Sequence, residues 1–171
     1  MIEPTFPGFL EFRFLSTRDW SSPVIEWFGR EEFAHAAVIY HEVTGDVEFG
    51  ARIKRDGAEK AGVQLRPLRY GRSGDVFVRE ERLKLLVTEK QWKSFWTEAS
   101  YQLGKPYSVS TILGFICGRD FHDTTGFDCS GLMAYLIEWI GLLPVELRAH
   151  VRMMTPGGFY LLILGMTRSR S

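Results

Sequence analysis

Two cysteines in 171 residues are too few for a disulfide framework, so each thiol must be judged by its own surroundings. Charge of one sign is lacking as well. Lys+Arg and Asp+Glu both number 21, and no basic run forms a stripe, which removes the electrostatic footprint of a nucleic-acid binder. No apolar run approaches the roughly 18 residues needed to span a bilayer. The opening MIEPTFPGFLEFRF has neither the cationic segment nor the continuous apolar stretch of a secretion signal. The expectation is a chain that is cytoplasmic as synthesised, with phage encoding or signal-less export as routes elsewhere. Internal repeats, low-complexity tracts and long linkers are also missing.

What is present suits one compact domain over residues 1–171, because 45% hydrophobic and 25% charged residues can build a sizeable core. Near-alternation of Phe, Leu and Arg from Gly8 to Leu15 predicts a strand with one buried face. Ser22-Pro23 is a helix start for a short helix carrying Val24, Ile25, Trp27 and Phe28. The runs AHAAVIY and VEFGARI, joined through Thr44-Gly45-Asp46, predict a hairpin with His35 at its open end. Further strands are expected at Val63 to Leu68 and Asp75 to Val78, on either side of YGRSGD.

The second half changes period. Trp92, Phe95, Trp96, Ala99 and Leu103 recur at helical spacing behind a Thr88/Gln91 capping box. A second helix begins near Asp128 or Cys129 and carries Leu132, Leu136, Trp139 and Ile140. Thr155-Pro156 opens a short apolar segment, FYLLIL, whose pattern does not separate helix from strand. The fold class is therefore α+β, with an antiparallel sheet in the first half and helices in the second.

The chemistry centres on GFDCSGL. A glycine loop leads through Asp128 into a helix, which places the Cys129 thiol at a helix start where unpaired amides and the helix dipole favour the thiolate. The same amides suit a developing oxyanion. Asp128 reads as the N-cap, since its carboxylate can accept from first-turn amides. Cys117, in the apolar run ILGFICG, reads as structural. His122, Asp123, Cys117 and Cys129 match no zinc spacing, so no metal or other cofactor is expected.

The stretch LGKPYSVSTILGFICGRDFHDTTGFDCSGLMAYLI resembles the NlpC/P60 family. The likeness rests on Gly104, Pro106 and Tyr107, then Asp128, Cys129, Ser130 and Gly131. In that family a histidine follows the cysteine, but downstream this chain has only His150, in LRAHVRMMTP, which lacks the family's strand pattern. FAHAAVIY upstream supplies it instead. Histidine before cysteine resembles the circularly permuted branch, the YaeF/YiiX-like and lecithin:retinol-acyltransferase-like proteins. The resemblance implies a papain-like fold in permuted order, with Cys129 as nucleophile and His35 as base.

The resemblance also implies that Tyr107 lies near the nucleophile, where it assists the oxyanion or the substrate, and Ser130 falls in the same first turn. Its orienting position falls on Gly50, in Gly50-Ala51, which has no side chain to hydrogen-bond. Glu48, two residues earlier on the same strand face, is the nearest acid, with Gln64 or a plain dyad as alternatives. His41 lies at the turn end of the hairpin and His122 in a polar loop. The expected reaction is amide hydrolysis through a thioester, as on a peptidoglycan stem peptide or other cell-wall fragment. Acyl-ester hydrolysis or acyl transfer is the alternative, as is a silent binding module of a phage or secretion assembly. The expected partner is a peptide or acyl substrate.

Overall fold

The computed structural model describes residues 6–17, 33–42, 45–52, 61–68, 77–108, 126–147 and 154–169. Among these residues five strands come first: β1 (Phe9–Thr17), β2 (His35–Tyr40), β3 (Val47–Arg52), β4 (Gly62–Pro67) and β5 (Phe77–Leu86). They form one sheet in the order β4-β3-β2-β1-β5, and every neighbouring pair is antiparallel. Three helices follow among the described residues: α1 (Glu89–Gln102), α2 (Cys129–Trp139) and α3 (Pro156–Arg168). The α+β expectation and the hairpin hold.

Local signals explain the helix starts. Thr88 accepts from the Gln91 N–H while the Gln91 side chain accepts from the Thr88 N–H, closing the capping box that starts α1. Thr155 caps α3 through the Gly158 N–H at 3.1 Å, with proline in the first turn, so FYLLIL is helical. The helix predicted after Ser22-Pro23 lies outside the described residues.

Two strand expectations change. β5 runs to Leu86, well beyond Val78, because RLKL alternates, with Leu83 and Leu85 toward the core and Arg82 and Lys84 on the other face. Its Glu80, Arg82 and Lys84 fall on the same face as Glu11 and Arg13 of β1, with Lys84 registered to Glu11, Arg82 to Arg13 and Glu80 to Leu15. The second change concerns β1, which buries both faces: Phe12 and Phe14 on one side, Glu11 and Arg13 on the other.

The apolar face of the sheet supplies Leu10, Phe12, Phe14, Ala36, Val38, Phe49, Ala51, Val63 and Leu85 to the core, and the helices cover it. Phe12 meets Phe95 of α1 and Phe159 of α3 edge-on. Helix α2 packs on β2 and β3 and touches both other helices. It is buried almost all round, from Cys129 through Ala134 and at Leu136 and Ile137, as a central core helix should be. Beyond α1 the chain returns to the edge of β4, where Val63 N–H donates to Lys105 O and Gly104 N–H to Val63 O, both at 2.9 Å.

Candidate active site

Cys129 is the first residue of α2. Asp128 is its N-cap, accepting from the Gly131 N–H at 2.7 Å. The loop into that cap is pinned by a parallel bridge between Tyr107 and Phe127, with Ser108 N–H donating to Phe127 O and Phe127 N–H to Pro106 O. Gly126 is required here, because a Cβ on it would lie 2.6 Å from the Pro106 carbonyl oxygen. The bridge thus brings the Gly104/Pro106/Tyr107 segment beside the residues that lead into Cys129. Tyr107 itself is half-buried and packs against the core.

The Cys129 side chain is buried, at 3% exposure. The backbone amides of Ala36 on β2 and of Ser130 in its own first turn lie near enough to the sulfur to favour its ionised form. Cys129 therefore sits against the strand residue next to His35. Burial pushes the thiol up to about 12, and the neighbouring Asp128 carboxylate adds to the rise; the amide donors oppose it and lose. At rest the sulfur is a thiol, contrary to the thiolate expected from a helix start alone. Asp128 is itself pushed up to about 7 by burial, against the pull of the Gly131 amide.

His35 opens β2, opposite Leu15 of β1, and is buried. Its Nε2 lies 3.2 Å from Glu48 Oε1. Glu48 is fully buried on β3, and three cationic or polar donors converge on it. Arg13 Nη1 donates to Oε2 at 2.7 Å, while Arg52 Nη2 donates to Oε1 at 2.8 Å alongside the imidazole. Burial pushes the Glu48 carboxyl up, but the His35 hydrogen bond and the Arg52 and Arg13 charges more than offset it, so the group stays well below the usual carboxylate range. An ionised carboxylate only accepts, so Nε2 carries the proton and Nδ1 carries the lone pair. Burial lowers the His35 pKa despite the Glu48 hydrogen bond, which leaves a neutral imidazole at pH 7.

The small residues beside Glu48 explain how it reaches. The register sets Glu48 opposite Ile39, four positions along β2 from His35. Between them lie Ala37 and Gly50, so close that a Cβ on Gly50 would stand 3.2 Å from that of Ala37. The carboxylate crosses this low floor. Glycine at 50 is what opens the way for an acid two residues earlier, while Gln64, opposite Gly50, is not needed for the contact.

Ser130 is fully buried. Its hydroxyl favours the ionised forms of both Asp128 and Cys129, yet no partner meets full hydrogen-bond geometry, so the oxygen counts as unsatisfied. His41 is exposed at the far end of the hairpin, 2.8 Å from Asp46 Oδ1. His122, Cys117, His150 and the 109–125 segment lie outside the described residues. Arg13 and Arg52 were missed from sequence, where an arginine on a strand reads as solvent-facing.

No family model matches the chain, and no curated protein does. Among solved structures it is similar to the metalloprotein YiiX of Escherichia coli, with a TM-score of 0.53 and 18% identity, covering 81% of this chain and 69% of that one. Among the described residues here, no group of three or more His, Cys, Asp or Glu side chains is placed to hold a metal ion. At this identity the likeness is one of fold, and the fold shared is that of a protein from the YaeF/YiiX-like branch that the sequence resembles.

Proposed function

We propose that the chain is a cysteine hydrolase of permuted papain-like type, with Cys129 as nucleophile, His35 as general base and Glu48 as the group that orients the imidazole. One observation carries the reading. A buried carboxylate lies 3.2 Å from His35 Nε2, and the Cys129 sulfur lies near the backbone of the adjacent residue, Ala36.

In this reading the thiol proton passes to His35 Nδ1 as sulfur attacks the substrate carbonyl, and the imidazolium that forms is stabilised by Glu48. The tetrahedral intermediate collapses with transfer of that proton to the leaving amine or alcohol, giving a thioester. Water, activated by the same imidazole, then releases the acid. Because the resting thiol is protonated, His35 must act in step with attack rather than store a thiolate beforehand. Tyr107 and Ser130 are the candidates to assist at the oxyanion or substrate. The substrate class proposed is an amide such as a peptidoglycan stem-peptide bond, with acyl-ester hydrolysis or acyl transfer on the same residues as the alternative.

A second reading, a catalytically silent binding module, is favoured by the burial of Cys129 and its raised pKa. Intact-mass measurement separates the two. The full chain is mixed with stem-peptide fragments and with activated acyl esters at pH 7–9. An acyl adduct on Cys129 that is absent from Cys129→Ala, and slowed in His35→Ala, supports the enzyme. A folded protein that forms no adduct with either class supports the silent module.

A further inference from the structure

Arg13 touches neither Cys129 nor His35 in any bond described above, yet it grips the carboxylate that does touch His35. It lies on β1, opposite Ala37 of β2 and Arg82 of β5, and is buried. Its two terminal nitrogens face different acids: Nη1 binds Glu48 Oε2 at 2.7 Å and Nη2 binds Glu80 Oε2 at 2.8 Å. Glu80 in turn receives a hydrogen bond from Arg82.

The division of labour at Glu48 is geometric. Oε1 serves His35 and Arg52, while Oε2 is taken by Arg13. A carboxylate free to rotate would present either oxygen to the imidazole or turn away. With Oε2 fixed from β1, Oε1 is left aimed at Nε2. The guanidinium fork suits this task, since one planar group holds two acids at set angles.

We infer that Arg13 is a positioning residue, which by fixing Glu48 Oε2 and bracing against Glu80 keeps His35 in the single tautomer with its lone pair on Nδ1. The inference rests on the proposed role of His35 as base. The groups facing the imidazole are Glu48 and Arg52 from β3 and Arg13 from β1, with Cys129 of α2 against the neighbouring Ala36. Glu48 favours the imidazolium and the two arginines disfavour it.

The test is nitrogen NMR of the full chain labelled at histidine, with the His35 signals assigned by their loss in His35→Ala. Wild type should show one neutral tautomer, protonated on Nε2. In Arg13→Gln both tautomers should appear, and the His35 titration midpoint should rise, because an opposing cation has gone. Cys129 acylation should slow about tenfold or more, as when an outer orienting group is lost, and its acid limb should move to higher pH. Arg13→Lys, which keeps the charge but loses the fork, should fall between wild type and Arg13→Gln in tautomer ratio. An unchanged tautomer and titration in folded Arg13→Gln overturn the inference, and if that variant does not fold, an unchanged tautomer ratio in Arg13→Lys does so. No acylation in wild type, together with the tautomer shift, would instead remove the hydrolase reading and leave the hold of Arg13 on His35 standing.

Discussion

Glu48 reaches His35 across Gly50: the carboxylate lies 3.2 Å from the imidazole although its own register partner is Ile39. The contact depends on the absence of a side chain at position 50 as much as on the acid at position 48. Gly50→Val should therefore weaken the His35–Glu48 bond with both residues still present. A branched side chain there meets Ala37, where even a single Cβ, at 3.2 Å, is already tighter than ordinary contact. The expected result is mixed His35 tautomers by NMR and at least a tenfold slower acylation, by analogy with the loss of an orienting group. A folded Gly50→Val protein with an unaltered His35 signal would count against the path across the sheet.

Glu48→Gln keeps the shape but leaves Arg13 and Arg52 facing a neutral amide. Breaking a buried ion pair in this way costs about 3–5 kcal/mol, which urea unfolding at pH 7 would measure. Because its pKa is depressed on folding, wild-type Glu48 contributes stability that is present above the unfolded carboxyl value of about 4.3 and is lost as pH falls below it. The acid limb of the stability profile should accordingly be shallower in Glu48→Gln.

Asp128 has the opposite sign. Its folded pKa of about 7 lies above its unfolded value, so the native state holds the extra proton, and stability falls as pH rises through the window between about 3.9 and 7. Asp128→Asn retains an N-cap side chain and removes the buried charge. It should flatten stability across that window and lower the pKa of Cys129, whose rise owes part to this carboxylate. Parallel denaturation and iodoacetamide titrations would read both effects. A steeper stability profile, or a thiol that titrates at higher pH, would contradict this account of Asp128.

Resting Cys129 should alkylate slowly. A thiol pushed up to about 12 by burial should react more slowly at pH 7–8 than the same cysteine in urea, and faster only at alkaline pH. Rapid alkylation of the folded protein at neutral pH would show that the sulfur is more exposed or better paired than its surroundings imply.

Gly126→Ala should disturb the approach to Cys129 without touching it. The added methyl would press on the Pro106 carbonyl at 2.6 Å, and relieving that contact requires the Tyr107–Phe127 bridge to open. Overpacking of this kind costs about 1–3 kcal/mol. Thermal unfolding would measure the loss, and unchanged stability would place the bridge outside the folded core.

How much of this was legible depended on range along the chain. Thr88 and Asp128 were readable as caps because the amides they serve lie within three residues, whereas the apolar run after Thr155-Pro156 left helix and strand unseparated until the Thr155 cap was seen. Cys129 was readable because its helix start and glycine loop are local. Arg13 was not, because its burial comes from pairing with Glu48, thirty-five positions away. The end of β5 was missed for a related reason: Glu80, Arg82 and Lys84 look solvated until β1 brings Glu11 and Arg13 beside them. Glu48 was legible as an acid on the right face, but that it spans Gly50 was a fact of three dimensions.

The return of the chain at Gly104 and Lys105 bears on how readily one copy of the sheet can pair with another. Among the described residues, β4 and β5 are the outermost strands of the sheet, and an uncovered edge is a template for intermolecular strand pairing. On one side, the start of β4 already spends its Val63 N–H and C=O on Lys105 and Gly104. On the other, β5 carries Arg79, Glu81, Arg82 and Lys84, charges that a second identical strand would have to desolvate. The segment that helps set the approach to Cys129 thus also occupies part of the β4 edge, so loosening it should raise aggregation propensity along with any effect on the site.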